Sequence, residues 1–257
     1  MLHYIENSHR AYLHEIFSAI QGEGPLLGTR QIFARFCGCN LNCRFCDAAA
    51  SLGRSKYCRV ERIAGERSFG RLANPVDVGA LVETIVELNK LSHHSIALTG
   101  GEPLLQVDFL IEALPKIQDQ LPVYLETNGT LPQALEKVTQ YLDFIAMDIK
   151  LPSATSAGDH FATHKEFLAI AKRSAPVFVK IVITSDAWVD ELLHAFTIVA
   201  EIDPAIEVIL QPVTALAHVD ESLAPNPRQI LKWQEMGLKQ LKSVRVIPQT
   251  HKLMGQL

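Results

Sequence analysis

From about residue 77 to the end of the chain, apolar runs of strand length alternate with stretches of helical period, and this restricts the fold more than any other feature. Val78, Leu81, Val82, Ile85 and Val86 recur at i, i+3, i+4, i+7 and i+8, one face of a helix whose start is marked by Asn74, Pro75 and Asp77. Ser95 to Leu98 reads as the next strand. Val107 to Gln118 reads as a helix disturbed at Pro115, because proline lacks the N–H that a helix interior uses. Further strands are expected at Val123 to Leu125, Phe144 to Met147, Val177 to Val182, Ile206 to Leu210 and Val244 to Ile247. Helices are expected at Pro132 to Gln140, His160 to Arg173, Asp186 to Ala200 and Pro227 to Leu241, the last opened by Asn226-Pro227, a pair suited to the N-cap and first helical position. Strands and helices in this order build a parallel sheet with right-handed crossovers, and an earlier strand at Gln31 to Arg35 belongs to the same core. The fold class is therefore α/β, a partial (open) β/α barrel with about six parallel strands. A doubly wound open sheet is the other solution, since period alone does not say whether a sheet closes.

No linker, repeat or low-complexity tract interrupts the 257 residues, which read as a single domain. The segment at about 48–75 is polar, without helical period, and carries Cys58, Arg59, Arg62 and Arg67; it reads as an inserted loop. A content of 48% hydrophobic and 20% charged residues excludes a disordered chain. Apolar runs stop well short of the roughly 20 residues that span a bilayer. The amino terminus lacks the basic head and apolar core of a leader, which places the chain in the cytoplasm. A formal net charge of −4 gives no support to a nucleic-acid partner, so a small molecule is the expected one.

Four of the five cysteines, Cys37, Cys39, Cys43 and Cys46, fall within ten positions. Too few for a disulfide scaffold, they point to a metal or redox site. Cys39, Cys43 and Cys46 have Cys-x3-Cys-x2-Cys spacing. Three thiolates on a short loop can hold three irons of a [4Fe–4S] cluster and leave the fourth open. A zinc site is the alternative, with Cys37 or Cys58 as fourth ligand, in a binding module without catalysis. The second feature is Thr99-Gly100-Gly101-Glu102-Pro103 at a strand end, where paired glycines let backbone groups approach a ligand closely. Polar groups also end later strands: Glu126-Thr127-Asn128-Gly129, Asp148-Ile149-Lys150, and Gln211 before Pro212. Active sites of β/α barrels assemble at such carboxyl ends.

CNLNCRFC resembles the signature of the radical S-adenosylmethionine (SAM) enzymes. The resemblance implies a [4Fe–4S] cluster on Cys39, Cys43 and Cys46 whose open iron chelates SAM. One electron then cleaves the sulfonium bond, and the 5′-deoxyadenosyl radical takes a hydrogen atom from substrate. It also implies SAM contacts by Phe45, Asp47, Gly100, Gly101, Glu102, Thr127, Asn128, Asp148, Ile149, Lys150 and Gln211, and a flavodoxin or ferredoxin as reductant.

Glu15-Ile16-Phe17-Ser18-Ala19-Ile20-Gln21-Gly22-Glu23-Gly24 narrows the resemblance to the 7-carboxy-7-deazaguanine synthases, with FARFCGCNLNC, TGGEP, ETNG, VFVKIVIT, LQP and VIPQTHKLMG as further matches. That family implies a lyase of 7-deazapurine (queuosine) biosynthesis. It converts 6-carboxy-5,6,7,8-tetrahydropterin to 7-carboxy-7-deazaguanine with loss of ammonia, and it is homodimeric. Carried onto this chain, Ile20, Gln21, Gly22, Glu23, Arg35, Thr99 and His251 hold the substrate, Arg35 through its carboxylate. A glutamine that both donates and accepts, and a carboxylate that accepts paired N–H groups, suit a pterin edge. One position departs. In the family a Thr or Ser after Cys-Asp helps to coordinate Mg²⁺; here Cys46-Asp47 is followed by Ala48, and a methyl group cannot ligate a hard cation. Water and Asp47 could hold the ion, a basic side chain could take its place, or a related radical SAM enzyme could act on another substrate.

Overall fold

A computed structural model describes residues 9–155, 158–214 and 221–256. Residues 1–8, where the segment searched for a leader begins, lie outside the described residues. The strand β1 (Arg10–Ala11) pairs antiparallel with β6 (Val76–Asp77). Among the described residues every other strand joins one ten-stranded sheet. Its main part is a parallel run of β3 (Arg30–Phe36), β7 (Ser95–Gly100), β8 (Val123–Thr127), β9 (Phe144–Asp148), β10 (Val177–Ile183), β11 (Val208–Pro212) and β12 (Val244–Val246). Beyond β3 the sheet continues through β2 (Leu13–Ile20), β4 (Tyr57–Glu61) and β5 (Phe69–Ala73). The sheet does not close: β12 and β5 are its two edges. It is the open form of the barrel.

The helices follow the sequence period closely. α1 (Val78–Leu88) starts where Asp77 accepts the Ala80 N–H at 2.9 Å, and buries Val78, Leu81, Ile85 and Leu88. α2 (Val107–Gln118) runs through Pro115 without a break. Proline forfeits one backbone hydrogen bond, but Phe109, Leu110, Ala113, Leu114 and Ile117 are all buried on one face, which outweighs it. α3 (Pro132–Glu136) is shorter than its period suggests and gives way to a 3₁₀ turn at Thr139–Tyr141. α4 (Phe161–Ser174), α5 (Val189–Ile202) and α6 (Pro227–Leu238) complete the outer layer, and a short α7 (Thr250–Leu253) ends the chain. At α6, Asn226 accepts the Arg228 and Gln229 N–H groups while the Gln229 side chain accepts the Asn226 N–H, a reciprocal cap that fixes the start. Among the described residues no helix is long and apolar enough to cross a membrane.

The expected loop at 48–75 contains two strands. β4 pairs parallel to β2, and β5 returns antiparallel to β4. Its polar composition hid the strand, because the buried positions of β4 are Cys58 and Glu61 rather than large apolar side chains. Glu61 is satisfied by the N–H groups of Ser18 (2.8 Å), Gly65 (3.0 Å) and Arg67 (2.8 Å). A buried carboxylate with three donors replaces the hydrophobic contact that pattern reading looks for.

Side chains of successive strand residues point to opposite faces. On the face turned from the helices, Phe17, Phe33, Ala97, Tyr124, Ala146, Phe178 and Ile209 form one apolar cluster across β2, β3 and β7 to β11. From β3 to β10 large and small alternate, so that each ring fills the space beside an alanine. This belt is the floor of what lies above it.

Candidate active site

Two residues beyond the belt on each parallel strand from β3 to β11, the same face carries Arg35, Thr99, Glu126, Asp148, Lys180 and Gln211, all polar. Five of these six, all but Asp148, help to line a cavity of about 390 Å³ at the carboxyl ends of the strands. All residues expected from the sequence line it except Glu102, Asp148 and Ile149. The cavity thus gathers Cys39, Cys43, Cys46, Phe45, Asp47, Ala48, Gly100, Gly101, Thr127, Asn128, Lys150 and Gln211 with Ile20, Gln21, Gly22, Glu23, Arg35, Thr99 and His251. Phe33, Glu126, Lys180, Gln249 and Lys252 also line it and were not assigned from sequence.

The cluster loop is held by backbone. The Gly101 N–H donates to Phe36 O at 3.1 Å and the Glu102 N–H to Gly38 O at 2.8 Å, so the end of β7 is zipped onto the chain entering the cysteines. A Cβ on Gly101 would lie 1.8 Å from Gly38 O, and one on Gly100 2.3 Å from Phe36 O. The paired glycines are therefore needed for this strand-to-loop approach, whatever ligand also comes near them. On the far side Cys43 bridges to Thr155, and Arg44 binds Ser153 O at 2.7 Å and Asp186 at 3.0 Å. The Leu41 N–H points to Cys39 Sγ at 3.4 Å, and Asn128 Nδ2 lies 3.8 Å from the same sulfur. Burial pushes all three thiols up, Lys150 opposing this at each. Cys37 and Cys58 are buried and outside the cavity, with burial driving Cys58 up to about 12. Neither Cys37 nor Cys58, the two cysteines offered as a fourth zinc ligand, reaches the cavity wall. Three sulfurs facing one cavity fit a [4Fe–4S] cluster with an open iron.

Glu102 is fully buried behind the wall, where it accepts Thr127 Oγ1 at 2.9 Å and the N–H groups of Asn128 (2.7 Å) and Leu104 (3.1 Å). Burial pushes its carboxyl up to about 7 against these donors. It ties the loop after β7 to the loop after β8. His164, from α4, does the same for the next pair: its Nδ1 meets Gly129 O at 3.1 Å and its Nε2 accepts the Lys150 N–H at 3.1 Å. Only the Nδ1–H tautomer satisfies both bonds. No sequence pattern marks this histidine, which lies on the buried face of α4.

Charges above the belt are paired. Lys180 Nζ lies 2.6 Å from Glu23 and 3.4 Å from Asp148, and Lys150 Nζ lies 2.8 Å from Asp148 and 5.5 Å from the centre of the Phe45 ring. The Asp148–Lys150 pair is nearly buried, not a surface contact. Glu23 also accepts Gln249 at 2.8 Å and Gln211 at 3.2 Å. Burial raises the Glu23 carboxyl most, but Lys180 and Gln249 together bring the net shift downward. Glu126 receives Thr99 Oγ1 at 2.6 Å and Gln21 Nε2 at 2.9 Å; burial, with Glu23 beside it, pushes its carboxyl up. Arg35 is held at Nε by Glu15, 2.9 Å away, while Glu15 also pairs with Arg59 of β4. Gln211 Oε1 and Asp148 Oδ1 are buried without a partner among the described residues. Gln211 lines the cavity, and its orphaned acceptor fits a ligand hydroxyl or N–H such as SAM carries.

The carboxyl-terminal segment closes one side. Thr250 N–H donates to Gly22 O at 3.0 Å, and a Cβ on Gly22 would lie 2.3 Å from His251 Nδ1. Gln249 Nε2 reaches Asp47 at 2.6 Å and Lys252 Nζ reaches it at 3.3 Å. Burial opposes ionisation of Asp47, but Lys252, Gln249 and Lys180 bring it down to about 2. Magnesium does not fit at the position expected for it. Ala48 offers only a methyl group, and the nearest hydroxyl in sequence, Ser51, is buried and spent on Ala48 O at 2.7 Å.

The radical SAM superfamily model matches residues 34–186. The 7-carboxy-7-deazaguanine synthase of Geobacter sulfurreducens is 44% identical over 96% of this chain and 98% of its own, and that of Methanopyrus kandleri 34% identical over 94% and 92%. The crystal structure of QueE from Escherichia coli superposes with a TM-score of 0.57 at 18% identity, covering 94% of this chain and 95% of that one, a likeness of fold. Matched over more than half its length by the superfamily model and over nearly all of it by such relatives, the chain belongs to the radical SAM superfamily and, within it, to the 7-carboxy-7-deazaguanine synthase family.

Proposed function

We propose that this chain, acting as a single radical SAM domain, is a lyase that converts 6-carboxy-5,6,7,8-tetrahydropterin to 7-carboxy-7-deazaguanine with loss of ammonia. The observation that carries the reading is the union, in one cavity, of the cysteine triad with the Gln21, Glu23, Arg35 and Glu126 side chains. Bound on Cys39, Cys43 and Cys46, a [4Fe–4S] cluster supplies the electron that cleaves SAM and so the radical that takes hydrogen from the substrate. The chain's own residues bind and orient. Gln21 gives its two amide N–H groups to Gln31 and Glu126 and keeps acceptor capacity at Oε1, and with Glu23 and Glu126 it offers acceptors that suit the N–H groups of a pterin's amidine edge. The Arg35 guanidinium is fixed at Nε by Glu15 and turned to the cavity, where it matches a carboxylate. Asn128, Lys150 and Gln211 face the cavity where the polar parts of SAM would lie, and Phe45 offers a ring to the adenine. The apolar floor excludes water from below, which limits quenching of a radical. A flavodoxin or ferredoxin as electron donor and a homodimeric assembly in the cytoplasm complete the reading.

The test is an anaerobic assay of iron-reconstituted protein with SAM, dithionite and the carboxypterin, following 5′-deoxyadenosine and 7-carboxy-7-deazaguanine. Both products are expected. Deoxyadenosine without the deazapurine would overturn the substrate and leave the radical chemistry standing. Protein that carries zinc and forms neither would overturn both.

A further inference from the structure

We propose that the Lys252 ammonium supplies, beside Asp47, the positive charge for which this family uses a divalent ion, and that this chain turns over without such an ion. The inference rests on the function proposed above and concerns how the substrate carboxylate is met.

Glu23, Asp47 and His251 bring ligand atoms within 4.8 Å of one another, the grouping that a cation would use. Three of the four carboxylate oxygens already accept N–H donors: Glu23 Oε1 from Gln211 and Gln249, Glu23 Oε2 from Lys180, and Asp47 Oδ2 from Gln249 and Lys252. Glu23 and Asp47 each already carry an ammonium partner, Lys180 and Lys252, so a divalent ion would have to displace a lysine. Mg²⁺ is a poor competitor there, since it dehydrates reluctantly and demands octahedral oxygen ligands, of which Ala48 supplies none.

Lys252 sits correctly for the substitution. Its side chain is 19% exposed, and its ammonium contacts Asp47 and Gln249 Oε1, which account for two of its three donors. The third can meet an anionic group in the cavity, which Lys252 lines together with Arg35. Because α7 is anchored through Thr250 on Gly22, the charge is delivered by the segment that closes the site.

Three measurements on the reconstituted, chelator-treated enzyme test this. Millimolar Mn²⁺, a paramagnetic stand-in for Mg²⁺, is titrated against the protein by EPR; the free six-line signal is expected to stay undiminished. Deazapurine formation is expected to change less than about twofold between chelated and Mg²⁺-supplemented buffer. Lys252→Met should raise KM for the carboxypterin about tenfold or more, as loss of a charge-assisted contact does, with Lys252→Arg recovering most of it and iron content unchanged. Stoichiometric Mn²⁺ binding with Mg²⁺-dependent product, or an unchanged KM in Lys252→Met, would overturn the proposal. If no variant or buffer gives deazapurine, the substrate assignment falls, while the Mn²⁺ titration still decides whether the position takes a metal.

Discussion

Gly101→Ala is the most direct test of how the cluster loop is held. The added Cβ would lie 1.8 Å from Gly38 O, 2.5 Å from Gly38 C and 3.2 Å from Cys39 Cβ, where real Cβ atoms essentially never approach below 3.0 Å. Two of these three atoms are backbone, so no side chain can swing aside. Either β7 or the loop carrying Cys39 must move by more than an ångström, breaking the 2.8 Å bond from Glu102 N–H to Gly38 O and the 3.1 Å bond from Gly101 N–H to Phe36 O. Overpacking of this kind costs about 3 kcal/mol or more, or about 6–12 °C in Tm for a chain of this size. The assay is iron and sulfide content after anaerobic reconstitution, with the visible absorbance of the cluster and a thermal melt beside it. Gly53→Ala is the control, since nothing lies within 4 Å of its Cβ, and it should stay within about 0.5 kcal/mol of the parent. Full iron content and an unchanged melt in Gly101→Ala would refute the claim that glycine is required by the strand-to-loop contact.

Three further outcomes are expected. Burial lowers His164 from 6.5 to about 4, so the folded chain refuses a proton that the unfolded chain accepts; its contribution is complete above pH 6.5 and is lost as pH falls towards 4, by about 3 kcal/mol. Denaturant midpoints measured from pH 7 to pH 4.5 should show this slope in the parent and a shallower one in His164→Gln; equal slopes would exclude it. Lys180→Met strands Glu23 without its cation, while Asp148 keeps Lys150, and should cost about 3 kcal/mol or more by chemical denaturation, part of it recovered by adding Glu23→Gln. Gly22→Ala should lift the carboxyl-terminal helix from the cavity, read as faster tryptic cleavage at Lys252 and loss of deazapurine formation with SAM cleavage retained; an unchanged cleavage rate would show that the contact with His251 yields easily.

Much of the fold was legible because its two periods are clean. The strands from β7 to β11 each carry three or four consecutive apolar residues, and α1, α2 and α6 begin within a residue of their sequence signals. β4 was not legible, because a buried Cys58 and a buried, fully bonded Glu61 stand where the pattern expects large apolar residues. The same reason explains the site residues that were missed. Lys180 sits inside an apolar strand and looks like an interruption, while Glu126 was read only as a polar strand end, yet each falls two positions beyond an aromatic belt residue, Phe178 or Tyr124. Arg35 and Thr99 obey the same rule after Phe33 and Ala97. A polar residue at the inward position nearest a strand's carboxyl end was therefore the available signal. Glu102 shows the converse, since its place in the glycine-rich motif gave no hint that its carboxylate is consumed by Thr127, Asn128 and Leu104. His164 and Lys252 depend on contacts across long stretches of chain, which no local period encodes.

The alternating belt beneath the cavity has an electrical consequence as well as a steric one. Phe33, Tyr124 and Phe178, with Ala97 and Ala146 between them, leave no polarisable solvent below the charged ring. Lys180, Glu23, Asp148 and Lys150 therefore respond chiefly to one another and to whatever enters from above, with field lines that water cannot relax from beneath. A neutral ligand of the right outline would gain little on such an insulated base. One that carries a carboxylate at one end and an N–H edge at the other completes a circuit of charge already laid out around it, so the floor, which touches no reacting atom, helps to decide what is admitted.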